Sequence, residues 1–96
     1  MKGGWVYVMT NRTHGTLYVG VTNDIARRVG EHRRGIGSVF TSRYKLYRLV
    51  YVEHHDEIES AINRETRFKH WPRSLKLKLI EAQNPSWADL YERFNV

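Results

Sequence analysis

Tyr7 and Tyr18 each stand at the centre of a β-branched and aromatic run, Trp5 to Thr10 and Thr16 to Val21, with Asn-Arg-Thr-His-Gly between the runs. That pattern predicts a hairpin with the two phenols roughly opposite each other. Aromatic strand formers in a core would look the same, and a slip of one residue turns either ring to the other face. Arg28 and His32 lie one helical turn apart in the segment that follows, which puts a guanidinium and an imidazole on one helix face. Each taken alone reads as a residue at the rim of an apolar stripe, because burying either without a partner is costly. Further on, Glu65 stands at i+7 from Ile58, i+4 from Ala61 and i+3 from Ile62, on the inward face of a helix. A carboxylate there needs either a neighbouring arginine or a metal ion.

Other titratable residues read as bland. In Glu53-His54-His55-Asp56 the adjacent histidines of an extended chain point apart, and neither HExxH nor another strong ligand spacing is present. This is a solvated strand end.

The elements that must position these groups follow from pattern. After the hairpin, Thr22-Asn23-Asp24 supplies an N-cap for a helix over Asp24 to Arg34, with Ile25, Arg28, Val29 and His32 on one face and Arg27, Glu31 and Arg34 on the other. Gly35-Ile36-Gly37-Ser38 ends it, and Val39 to Lys45 reads as an exposed loop. Leu46 to Val52 is a third strand, with faces Leu46, Arg48, Val50, Val52 and Tyr47, Leu49, Tyr51; both are largely apolar, as in a strand covered on two sides. Asp56 caps a helix from Glu57 to Trp71, with Ile58, Ala61, Ile62 and Phe68 facing inward, and Pro72 stops it. Ser74 to Gln83 alternates like a strand but is made of helix formers, and helix is the reading adopted. Asn84-Pro85-Ser86 then makes a turn and fresh N-cap before a short helix, Trp87 to Phe94.

Composition narrows the function classes. The 96 residues suit one domain over 1–96, and 41% hydrophobic content argues against disorder. No cysteine is present, which removes disulfides, thiolate nucleophiles and thiolate zinc sites. No apolar segment is long enough for a signal peptide or a membrane span, so the expectation is a cytoplasmic protein with no membrane partner. A net charge of +6, from 16 Lys and Arg against 10 Asp and Glu, points to a polyanionic partner, most often nucleic acid.

Four pieces taken in order carry a resemblance: Val6 to Val8, Tyr18 to Gly20, the run TNDIARRVGEH ending at His32, and AINRETRFKHW containing Glu65. Together they resemble the GIY-YIG nuclease superfamily, and more closely the small stand-alone, UPF0213-like members related to the N-terminal domain of the excision-repair nuclease subunit UvrC. The resemblance runs from Trp5 to Trp87. It implies an α+β fold, a three-stranded antiparallel sheet flanked by helices. It further implies that Tyr7, Tyr18, Arg28, His32, Glu65 and Asn84 are catalytic, with Glu65 as the single acidic ligand of Mg²⁺ or Mn²⁺. Val19 replaces the isoleucine of the second motif, and Val21 stands where some relatives have a lysine that helps activate water.

On that reading the reaction is metal-dependent hydrolysis of DNA phosphodiesters with low sequence specificity, in repair or recombination. Glu65 holds the ion, Arg28 meets the non-bridging oxygens, Tyr7 orients or deprotonates water, His32 relays the proton, and Tyr18 holds the water or a phosphate oxygen. Gly20 lets substrate approach the backbone. Arg27, Arg33, Arg34, Arg43, Lys45, Lys69, Arg73, Lys76 and Lys78 are the candidates for gripping DNA, or RNA, through phosphates. A protein partner could supply specificity. Two other readings compete: a nucleic-acid-binding module of the same fold without hydrolysis, and a subunit whose basic face docks an acidic protein.

Overall fold

The computed structural model describes residues 3–94. In order they form β1 (Gly4–Thr10), β2 (Leu17–Thr22), α1 (Ile25–Arg33), α2 (Val39–Arg43), β3 (Arg48–His55), α3 (Ile58–Lys69), α4 (Arg73–Gln83) and a short 3₁₀ turn, Tyr91–Arg93. The three strands make one antiparallel sheet in the order β2-β1-β3. The sheet and its flanking helices match the expected α+β class.

The central strand explains the layering. Val6, Tyr7, Val8 and Met9 are each at most 1% exposed, so β1 is covered on both faces. Val6 and Val8 pack with Val19, Ala61, Phe68, Ile80 and Trp87, which is the side of α3 and α4. Tyr7 and Met9 pack with Ile25, Val29, Leu46, Leu49 and Leu90, which is the side of α1. Alternation along one strand thus divides the core into two layers.

Register corrects two expectations. Tyr7 pairs with Gly20 and Tyr18 with Met9, so the phenols are diagonal neighbours on one face and not directly opposite. On β3, Val8 pairs with Tyr51 and Met9 with Leu49, which leaves Val50 as an extra residue in a bulge. Val50 and Tyr51 therefore both join the α3 layer, while Leu49 and Val52 join the other. Strict alternation through Leu46 to Val52 cannot survive an inserted residue.

Four boundaries and the place of one side chain also differ. Val39–Arg43 is a helix turn and not a loop, because the Ser38 hydroxyl accepts from the Thr41 amide as an N-cap. The third strand begins at Arg48 and runs on to His55, so Glu53 lies within it, taking bonds from Arg64, Tyr51 and His55 in place of solvent. Glu57, with no side-chain cap bond, takes the N-cap position predicted for Asp56. Ile62 is 46% exposed and sits outside the inward stripe. The last predicted helix shrinks to Tyr91–Arg93, with Trp87 in the left-handed region at φ 57°.

That last departure has a cause in the sheet. β3 is an edge strand, and its outward polar groups need partners. Leu90 N–H donates to the Leu49 carbonyl at 2.8 Å, Asp89 Oδ1 accepts from Leu49 N–H, and the Gln83 amide bonds both polar groups of Val52. Asn84 Nδ2 donates to the carbonyls of Val50 and Ala88, and its Oδ1 accepts from Ala88 N–H. Backbone engaged with the edge strand cannot also close helical turns on itself. Asn84→Ala should lower the unfolding free energy by about 2 kcal/mol, since it orphans buried backbone groups; an unchanged urea midpoint would contradict this role.

Candidate active site

Helix α1 starts where Asp24 Oδ1 accepts from the Arg27 amide, and this phase turns Ile25, Val29 and His32 toward the sheet. Arg28 takes the rim, with a side chain 29% exposed. His32 does not: it is fully buried, contrary to the rim position expected of it. Burial is tolerable because both ring nitrogens have partners. Nε2 lies 2.8 Å from the Tyr7 hydroxyl and Nδ1 lies 2.8 Å from Thr41 Oγ1. Thr41 in turn bonds the Ser38 hydroxyl at 2.8 Å.

Tyr7 reaches His32 by lying over Gly20. A Cβ on Gly20 would stand 2.5 Å from both Cζ and the hydroxyl oxygen of Tyr7, so glycine here makes room for the phenol and not for a substrate. Gly37 does the same for His32, whose ring occupies the place of its missing Cβ. Beside these rings stands Tyr18, partly exposed, with its ring centroid 5.3 Å from that of His32 and 6.3 Å from that of Tyr7.

Electrostatics sets the protonation states. Burial holds the Tyr7 phenol well above the ordinary range, neighbouring Tyr18 adds to this, and Arg28 pulls the other way. Glu65 adds a smaller upward push. Burial, with the nearby Arg28 charge, depresses His32 to about 4, Glu31 opposing, so the imidazole is neutral near pH 7. For Arg28, burial disfavours the cation, yet Glu31 and the two phenols outweigh it and hold the guanidinium charged. Glu31 accepts from Arg28 at 3.1 Å and from Arg27 at 2.9 Å, and thereby orients both.

On α3, Glu65 is 9% exposed and pairs with Lys69 Nζ at 2.8 Å, one turn along. Of the two partners expected for it, an arginine or a metal ion, the first is replaced by a half-exposed ammonium. Among the described residues no three Asp, Glu, His or Cys side chains gather as a metal cluster. A single carboxylate suits a hard divalent ion that keeps water and phosphate oxygens in its remaining positions, and Glu65 is the residue that would hold it.

Tyr7, Tyr18 and His32 thus come together, Arg28 stands one turn before His32 on the same helix, and Glu65 holds Lys69, which lines one groove with Tyr18. Asn84 makes no hydrogen bond to any of them; its amide is engaged at the β3 edge. The basic candidates divide. Arg33 donates to Asp89 and the Tyr47 carbonyl and lies 4.6 Å from the Tyr91 ring, while Arg73 ties down the His14 and Gly15 carbonyls. Those two are structural. Lys76 donates to the Lys69 carbonyl, Arg27 serves Glu31 and Asp24, and Arg34 forms the C-cap of α1. Arg43, Lys45 and Lys78 are exposed.

Sequence reasoning passed over Thr41, Ser38 and Glu31. Ser-x-x-Thr over Ser38 to Thr41 is a visible N-cap signal, and Glu31 stands four residues from Arg27 and three from Arg28.

Known proteins share the sequence pattern and the fold. A family model described as the GIY-YIG catalytic domain matches residues 3–78. The UPF0213 proteins SAV0488 and SA0446 of Staphylococcus aureus strains Mu50 and N315 are each 35% identical over 83 residues, covering 86% of this chain and all of the relative. The solution NMR structure of the UPF0213 protein BH0048 from Bacillus halodurans superposes with a TM-score of 0.58 at 28% identity, covering 91% of this chain and 92% of that one.

Two outcomes follow from the packing around the imidazole. Gly20→Ala should cost about 2 kcal/mol and break the Tyr7–His32 bond, since Tyr7 is enclosed and its ring has nowhere to shift; wild-type stability would contradict this. His32 has a folded-state pKa below its unfolded value, so protons bind the unfolded chain preferentially and stability falls as pH drops from about 6.5 toward about 4. Urea unfolding at pH 7 and pH 5 should differ by about 2 kcal/mol in the wild type, a difference largely absent in His32→Phe. Equal pH dependence in the two proteins would refute it.

Proposed function

Because this chain belongs to the GIY-YIG nuclease family, we propose that it is a Mg²⁺- or Mn²⁺-dependent endonuclease that hydrolyses DNA phosphodiesters with little sequence preference. The observation that supports the reading is the meeting of two phenols and a neutral imidazole, with a charged guanidinium on the same helix and a nearly buried carboxylate whose half-exposed lysine partner lines one groove with Tyr18. The bound ion would supply positive charge to the phosphate and leaving oxygens.

The residues divide the remaining work. Arg28, fixed by Glu31 and kept charged, donates to the non-bridging oxygens as charge builds on them. Tyr18 is the more open of the two phenols, and it holds the attacking water or a phosphate oxygen. Tyr7 stands behind it. A phenol so strongly disfavoured as an anion does not begin as phenolate; it draws on the Arg28 charge and shares its proton with His32 Nε2 at 2.8 Å. Lys69 leaves Glu65 for the phosphate when substrate arrives, and the remaining exposed cations hold the strand through its backbone.

Val21, in the place of an activating lysine, favours the second reading, a module that binds nucleic acid without cutting it. Incubation of supercoiled plasmid and of a single-stranded DNA circle with Mg²⁺ separates the two. Glu65→Gln and Arg28→Ala should each slow nicking by about 100-fold or more. Equal rates in all three proteins, or binding with no product from the wild type, would overturn the nuclease reading.

A further inference from the structure

Helix α2 carries a feature that its structural role does not require. The helix is anchored by the Ser38 cap, by Thr41 on His32, and by the Leu46 amide on the Thr41 carbonyl. Phe40 and Tyr44 take no part in that anchoring and remain 42% and 46% exposed. They nevertheless form an ordered series with the site. Phe40 stacks on Tyr18 at 6.1 Å between ring centroids and an interplanar angle of 29°, and Tyr44 follows at 4.9 Å from Phe40, with the Arg43 guanidinium 5.8 Å from the Tyr44 ring. Next to Phe40 opens a cavity of about 410 Å³ lined by Leu17, Tyr18, Val19, Phe40, Lys69 and Lys76. Its walls are apolar and aromatic, and its two charged groups are ammoniums, one of them the partner of Glu65.

We propose that Tyr18, Phe40 and Tyr44 form a stacking ledge for unpaired bases of a single nucleic-acid strand, whose phosphates are held by Lys69, Lys76 and Arg43. The ligand must offer a flat face to the rings and negative charge a short distance away. An unstacked nucleotide has both, whereas a base-paired duplex hides the faces of its bases and shows only phosphates. An acidic peptide would satisfy the lysines but leave the aromatic series unused. The inference rests on the reading of this groove as a nucleic-acid site, and it adds the strandedness of the substrate. It also gives α2 a second task beside holding His32.

Binding is measured without hydrolysis, in EDTA and at low salt, by fluorescence anisotropy of short oligodeoxyuridylate, oligouridylate and a blunt duplex of matched length. The wild type should prefer at least one single strand to the duplex, the two strand types showing whether the sugar matters. Phe40→Ala should weaken that single-strand binding about tenfold, and Phe40→Leu, which keeps apolar bulk but lacks a ring, should weaken it nearly as much. A strand carrying 2-aminopurine should be quenched by the wild type and not by Phe40→Leu. Duplex bound as tightly as both single strands, or Phe40→Ala and Phe40→Leu with wild-type affinity and quenching, would overturn the proposal. The two readings fail separately: strand binding that needs Phe40 with no cleavage in Mg²⁺ removes the nuclease and keeps the ledge. Cleavage that needs Glu65, with binding indifferent to Phe40, does the reverse.

Discussion

A hydrogen bond between two buried side chains, Tyr7 on the central strand and His32 on the first helix, constrains most of what surrounds it. Neither group can enter a core alone, because a buried donor or acceptor without a partner costs on the order of 1–3 kcal/mol. The imidazole has two such atoms. One is met by Tyr7, the other by Thr41, and this second need fixes α2 against the body of the protein. Gly20 and Gly37 lack side chains because the two rings occupy that space. A strand, a helix and a helical turn are thereby tied at one point.

The same burial decides the chemistry available. It keeps His32 neutral and Tyr7 protonated, so neither is a ready-made ion. Charge enters from the rim, through Arg28 on one side and the Glu65–Lys69 pair on the other. Glu31 restrains Arg28, whereas Glu65 is held by a lysine whose side chain is half exposed. A carboxylate with such a partner is available to a cation as soon as an anion draws the lysine away.

Much of this was legible in the sequence because it rests on local pattern. The hairpin and α1 follow from periodicity and capping, α3 from periodicity, and the helix over Ser74 to Gln83 from the helix propensity of its residues against a strand-like alternation. What failed was non-local. The bulge at Val50 depends on pairing with β1, and the C-terminal segment gave up a helix to cover the β3 edge through Leu90, Asp89 and Asn84. His32 reads as a rim residue until Thr41 is known to be within reach, and nothing in either segment's own pattern joins them. For Asn84 the residue type fits catalysis and edge-capping equally; only its bonds to Val50 and Ala88 distinguish the two.

The site depends most on the state of one imidazole. Nitrogen-15 NMR of His32, followed from neutral to acidic pH, reads it directly. A neutral ring with one protonated nitrogen, persisting through pH 6 and titrating near 4, is the predicted result. An imidazolium already formed at pH 6, or rapid exchange of the ring between tautomers, would mean that the bond to Tyr7 does not hold the site together.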